Sequence, residues 1–350
     1  MIARRWRPAL LLGGVVLLAL LPQLQLSVPG VLPGPTSTVG TLQLLTVCLL
    51  VGALAVTYDL LFGQAGLLSF GHALSFAIGC YLFAIGLDRW HLAIGPAALL
   101  TLGVGVLAAV LVGAISLRVG GISFAMVTLA FAQAGSLLVY RNFGGFTGGE
   151  EGLGVNSAKL PGWLLGVVNT KNLYWTALVI AVLVYGVVAW LSRTQAGRMM
   201  AAVRENALRV QVFGVRPYVV RLIAFVAAGA LATLVGMAYL LAQGGANPQV
   251  TTPSFTLSLL VMVVLGGAGA RWGALLGGIL YTLLDQRLAV LASSSRITSL
   301  PGLLRVPLSQ PLFLLGALFV LVVLFLPGGL AGAISRLGAA EWGREPSKST

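Results

Sequence analysis

Apolar residues in this chain come in long, continuous runs, and the polar residues punctuate them. Runs cover residues 9–26, 39–62, 70–87, 93–116, 121–139, 173–191, 218–242, 255–266, 272–291 and 311–327. A helix needs about 20 predominantly apolar residues to cross a bilayer, and most of these runs reach or approach that length. Strands of a membrane barrel would alternate apolar and polar positions instead. The pattern therefore predicts an all-α polytopic membrane protein with about ten transmembrane helices. The run at 255–266 is the shortest, and the run at 121–139 is dotted with polar residues. Residues 1–38 read as a first span with its connecting loop, 39–335 as one transmembrane domain, and 336–350 as a polar tail.

Composition sharpens this picture. Of 350 residues, 58% are hydrophobic and only 8% charged, against about 25% charged in an average soluble domain. So few charges cannot solvate the surface of a fold this size, and lipid must act as the solvent for most of it. Soluble, disordered and collagen-like classes are excluded. Cys48 and Cys80 both lie inside apolar runs, which reads as small packing residues rather than a disulfide framework.

A net charge of +13 would point to nucleic acid if the cations formed one basic face. They sit between the apolar runs instead. Arg4, Arg5 and Arg7 precede the first run, which places the N-terminus in the cytoplasm, and no small-residue cleavage site follows Leu20, Leu21 and Pro22, so 9–26 is read as a retained helix. Ten spans then put both termini inside. Arg118, Arg193, Arg198, Arg204, Arg209, Arg216, Arg221, Arg271, Arg336, Arg344 and Lys348 join the inner set. The outer set is Arg89, Arg141, Lys159, Lys171, Arg296 and Arg305, with Arg287 left inside a span. That asymmetry obeys the positive-inside rule and leaves no role for nucleic acid as a partner.

Two glycine-rich stretches interrupt the spans. Gly63-Gln64-Ala65-Gly66-Leu67-Leu68-Ser69-Phe70-Gly71-His72 lies between the second and third, and Gly266-Gly267-Ala268-Gly269-Ala270-Arg271-Trp272-Gly273 between the eighth and ninth. Irregular backbone at membrane depth survives only where protein or a water-filled cavity covers it, and transporters use such breaks to aim backbone groups at a solute. Glycines also permit close helix packing, so the stretches read equally as a pathway or as helix contacts. Ionisable residues within spans are costly and point to function; here they are Asp59, His72, and Asp285 with Arg287.

Two loops stand out. Residues 192–217 form the longest polar stretch on the inner side, with a helical pattern from Gly197 to Phe213. Met199, Val203, Val210 and Phe213 fall on one side of it and Arg198, Arg204, Glu205 and Arg209 on another, with Gly214 and Pro217 ending the helix. It reads either as an interfacial helix on anionic lipid or as a docking element for another protein. The outer loop 140–172 carries Thr147-Gly148-Gly149-Glu150-Glu151-Gly152-Leu153-Gly154, a solvated loop or an external contact surface; its paired acids lack the neighbouring ligands that a metal needs. None of Lys159, Lys171 and Lys348 follows a glycine, so no phosphate-cradling Walker loop is present. No nucleophile elbow, HExxH or CxxC appears either, and neither catalysis nor a cofactor is expected of the chain.

Taken in order, these segments resemble the permease subunits of branched-chain amino-acid ATP-binding-cassette importers, of the LivM type. The likeness covers most of 40–290. It rests on the Gly63–His72 segment, on Gly121–Ala132 followed by Thr147-Gly148-Gly149 and Gly152-Leu153, on Gly197-Arg198 through Arg204-Glu205-Asn206 to Gly214-Val215, and on Leu265–Gly269 with Trp272-Gly273. The resemblance implies an alternating-access permease in the bacterial inner membrane. Its implied partners are a LivH-like sister permease, two cytosolic ATPases that carry the hydrolysis, and an extracytoplasmic substrate-binding protein. Residues 192–217 would be the ATPase-coupling loop, through Arg198, Arg204, Glu205, Asn206 and Gly214. After the glutamate, the small residues usual in the family are replaced by Ala207-Leu208-Arg209-Val210-Gln211-Val212-Phe213. Gln64, Ser69, His72 and Thr128 are the expected pathway residues. The rival expectation is a stand-alone channel or secondary carrier for a small neutral solute such as urea.

Overall fold

The computed structural model describes residues 13–26, 32–155, 162, 169–292, 310–326 and 328–334. Arg4, Arg5, Arg7, Lys159, Arg296, Arg305, the tail 336–350 with its Arg336, Arg344 and Lys348, and the start of the first expected span lie outside the described residues.

Within the described residues, 13–20 are helical. Helix α1 spans Val39–Asp59 and runs into a π-helical turn, Leu60–Gln64. Then come α2 (His72–Asp88), α3 (Ile94–Ser116), α4 (Ile122–Tyr140) and α5 (Thr170–Leu191). Two short helices follow, α6 (Gln195–Glu205) and α7 (Ala207–Val212). The last four are α8 (Pro217–Gln243), α9 (Pro253–Gly266), α10 (Arg271–Ala292) and α11 (Pro311–Phe325). Proline opens α8, α9 and α11, where its missing N–H costs nothing and its fixed φ suits the first turn. Val39–Gln64, α3, α4, α5 and α8 are each long and apolar enough to cross a membrane. The chain is a polytopic helical membrane protein.

Helix α1 is the axis of the bundle. Every residue from Cys48 to Asp59 is buried, so it shows no polar face, as expected of a helix enclosed on all sides. It packs against α5, α8, α9 and α10. By contrast, α3 leaves Leu99, Leu107, Leu111 and Ile115 exposed, a surface suited to lipid. Where helices cross closely, glycines make the contact, as small residues do in membrane bundles. A Cβ on Gly278 would lie 2.7 Å from Gly52 Cα, joining α10 to α1, and one on Gly236 would lie 3.1 Å from Gly79 Cα, joining α8 to α2.

Helices α2 and α9 are shorter than a span and begin deep inside. Ser75, four residues into α2, lies beside Gly229, near the middle of α8, and its carbonyl accepts from Thr233 Oγ1 at 3.0 Å. The N-terminal ends of the two short helices meet there. Ala73 N donates to Thr256 Oγ1 at 3.1 Å, and the Phe76 and Phe255 rings stack at 5.4 Å.

The loops sort onto two ends. At one, Arg204 bonds Gly63, Gln64 bonds Ser192, and Arg271 bonds Ala189. At the other, Arg89 bonds Gly145 at 2.9 Å, and Leu153–Gly154 pairs antiparallel with Gly245–Ala246. Arg204 and Arg271, both of the expected inner set, share the first end, and Arg89, of the expected outer set, lies at the second.

One expectation changes. The single helix read from Gly197 to Phe213 is two helices, because Asn206 is extended (φ −156, ψ 99) and its side chain accepts from Arg209 N at 2.9 Å, capping α7. An asparagine cap outcompetes helix continuation here. Phe213 then falls off the side it was expected to share with Met199, Val203 and Val210, and is 80% exposed while Val203 and Val210 are buried.

Candidate functional site

The first glycine break descends from the π-turn at Leu60–Gln64 to the start of α2. Its backbone would be intolerable at this depth unless satisfied by protein, and three hydroxyls do so. Phe70 N donates to Thr128 Oγ1 at 3.1 Å, Gly71 N to Ser69 Oγ at 3.2 Å, and Ala73 N to Thr256 Oγ1 at 3.1 Å. Tyr58 OH donates to Ser69 O at 3.1 Å. His72 Nε2 lies 2.9 Å from Thr57 Oγ1, and its ring tilts against Tyr58 with centroids 5.4 Å apart. Ser69, His72 and Thr128 are thus gathered at one buried point, with Thr57 and Thr256 added to them. Their polar groups are engaged by the backbone of the break and by Thr57.

Gln64 is elsewhere. Its Oε1 accepts from Ser192 Oγ at 2.6 Å, at the entrance to the 192–217 loop, and its Nε2 is buried with no partner. The structure groups it with the loop.

The second break meets the first. Gly267 (φ +106) and Gly269 (φ +87) take conformations that only glycine adopts readily, and Gly269 N donates to Asp59 Oδ1 at 2.7 Å. Asp59 is fully buried, and its Oδ2 has no partner. The guanidiniums of Arg204 and Arg271 lie close enough to act on its charge. Arg204 Nη1 donates to Gly63 O, and its stem runs over Gly66, where a Cβ would stand 2.8 Å from Arg204 Cγ. Both breaks and the loop therefore converge on one acid.

On the loop itself, Thr194 caps α6 by accepting from Gly197 N, and Met200, Val203 and Val210 turn inward. Arg198, Glu205 and Asn206 are exposed. So are Leu208 (75%), Val212 (85%) and Phe213 (80%). Gly214 adopts φ +78 and turns the chain towards α8. Beside this end, a cavity of about 320 Å³ is lined by Gly66, Leu67, Phe70, Phe124 and Met126 among others, with Arg221 as its one charged wall. Arg221 Nε is buried without a partner.

Sequence reasoning missed Thr256 and undervalued Asp59. The partner of Thr256 is 183 residues away in sequence, and no local pattern announces it. Asp59 had a signal, an acid ending a mainly apolar span with a glycine four residues on.

Comparison with known proteins now decides the class. The family described as branched-chain amino acid transport system, permease component, matches residues 40–324. The chain belongs to that family. It is similar to the high-affinity branched-chain amino acid transport system permease protein LivM of Escherichia coli K12, with 27% identity, covering 83% of this chain and 70% of the relative. A probable branched-chain amino acid transport permease protein LivM of Methanocaldococcus jannaschii is 25% identical, over 79% of this chain and 88% of its own length. The autoinducer 2 import system permease protein LsrC of Salmonella paratyphi B is 30% identical over a shorter stretch, 55% of this chain and 57% of its own. No solved structure matches. The permease is thus of the LivM type, a transport component in which the buried polar cluster and the loop are the places to look for function.

Proposed function

We propose that this permease is the LivM-like subunit of an ATP-binding-cassette importer, crossing the bacterial inner membrane ten times with both termini in the cytoplasm. It works beside a LivH-like sister permease, two cytosolic ATPases and an extracytoplasmic binding protein. The observation that carries the reading is the outer face of the 192–217 loop. Leu208, Val212 and Phe213 stay open beside Arg209, while the inward side of α6 is already used by the bundle. An exposed apolar cluster rimmed by charge is what a docking groove on another protein requires. ATPase closure would favour one arrangement of the bundle over the other and so shift the population between them. Arg198, Glu205 and Asn206 lie on the exposed side of this loop; Ser69, His72 and Thr128 line the gate, where their side chains engage Gly71 N, Thr57 and Phe70 N respectively.

The substrate class is a branched-chain or related neutral amino acid. The cavity next to Phe70 offers apolar walls and one guanidinium, which suits an apolar side chain with a carboxylate better than it suits urea. The test is Leu208→Glu with Phe213→Glu, two exposed positions. Both leucine uptake and the Mg-ATP hydrolysis that co-elutes with the purified permease should fall at least tenfold, with the permease still in the membrane. Unchanged uptake and unchanged co-elution would leave a stand-alone channel or secondary carrier as the better reading.

A further inference from the structure

We propose that Asp59 is the positioning residue through which the 192–217 loop moves both glycine breaks together, by exchanging its contact with Arg204. The proposal rests on the importer reading above and concerns what happens inside the bundle once an ATPase is docked.

The socket is built around Arg204. Three glycines from two distant parts of the chain surround its side chain. Gly63 supplies the carbonyl it bonds, Gly66 (φ +70) makes room for its stem, and a Cβ on Gly269 would stand 3.6 Å from its Nη1. Side chains on Gly63 would also collide with Asp59 and with the Gly269 amide. The glycines are therefore required by the packing of one arginine and one aspartate, which is a more specific demand than loose helix contact.

Asp59 has one oxygen engaged and one idle. Oδ1 holds Gly269 N at 2.7 Å, and Oδ2 is buried with no partner. A buried carboxylate oxygen without a hydrogen bond is costly. The Gln64 side chain, whose Nε2 also lacks a well-formed bond, and the guanidiniums of Arg204 and Arg271 stand close enough to act on the carboxylate without an ion pair. The arrangement is thus poised between two states. In the present one, Arg204 holds Gly63 O; in the other, Arg204 closes on Asp59 Oδ2. Arg204 is part of α6, so a movement of that helix under a docked partner reaches it. Because Asp59 carries the second break through Gly269 and is adjacent to the first through Gly63, the exchange shifts both.

Two neutral variants separate charge from hydrogen bonding. Asp59→Asn keeps an acceptor for Gly269 N, and Arg204→Gln keeps a donor for Gly63 O. Each is expected to lower leucine uptake by tenfold or more in vesicles, with co-eluting ATP hydrolysis retained, so that more ATP is spent per leucine moved. Arg204→Lys, which keeps the charge, should retain at least a third of wild-type uptake. Wild-type uptake in both neutral variants would overturn the proposal, as would loss of ATPase co-elution in Arg204→Gln, which would make Arg204 a docking contact only. Should Asp59→Asn fail to reach the membrane, the Arg204→Gln and Arg204→Lys pair, at an exposed position, decides alone. Failure of the importer reading is seen separately, as wild-type permease that brings no ATPase with it.

Discussion

Gly79→Ala perturbs the crossing of α2 and α8 and, through it, the position of His72. A Cβ at Gly79 would lie 3.0 Å from both Thr233 Cα and the Thr233 carbonyl carbon, and closer still to the carbonyl oxygen. Ordinary contact begins near 3.4 Å, and the obstacle is backbone inside a helix, which cannot rotate away. The helices must separate. Separation stretches Thr233 Oγ1 to Ser75 O (3.0 Å) and Cys80 Sγ to Gly236 O (3.2 Å). Overpacking a tight core costs about 1–3 kcal/mol, and each weakened hydrogen bond adds roughly 0.5–1.5 kcal/mol. A loss of about 3 kcal/mol follows, offset slightly by the better helix propensity of alanine. The assay is reversible denaturation in mixed micelles, with Gly103→Ala as control, since a Cβ there meets nothing within 4 Å. Gly236→Ala strains the same crossing, so the double variant should lose less than the sum of the two singles. Equal stability of Gly79→Ala and Gly103→Ala would refute the reasoning, because the close approach of the two backbones would then carry no energy.

Three further outcomes are expected. Thr256→Val leaves Ala73 N buried without an acceptor and should cost about 1–3 kcal/mol, whereas Thr256→Ser, measured by the same denaturation, should stay close to wild type. A membrane-impermeant thiol reagent should label Leu208→Cys only from the cytoplasmic side and Phe146→Cys only from outside. Both native cysteines are buried and should remain unlabelled, so reaction of the two variants from the same side would break the ten-span topology. Arg221→Gln should raise the KM for leucine uptake at least tenfold with little change in the amount of permease in the membrane; an unchanged KM would remove the cavity from the pathway.

What could be read from the sequence followed from one-dimensional physics. The apolar runs predicted membrane helices because lipid enforces their length, and five helices of the structure are long and apolar enough to cross a membrane. Arg204 and Arg271 fall at one end of the bundle and Arg89 at the other. Gly63, Gly66 and Gly269 were visible as breaks because few other residues explain such a cluster within apolar runs. Their meeting was not visible, since Asp59 and Gly269 are 210 residues apart and no period links them. The same limit hid Thr256. The loop helix was misread for a different reason: Asn206 sits in an otherwise helical pattern, and its local side-chain bond to Arg209 N prevailed over propensity. Gln64 was grouped with Ser69 and His72 by nearness in sequence, although the π-turn and the following break carry the chain away from it.

The Asp59–Gly269 link also constrains how the protein is made. At synthesis rates of about 5–20 residues per second, the 210 residues between them take roughly 10–40 seconds to emerge. For that interval α1 has left the ribosome with its carboxylate and without the amide that will receive it. A helix destined to be enclosed on every side must therefore wait, beside the insertion machinery or at the membrane surface, until the last third of the chain arrives to surround it.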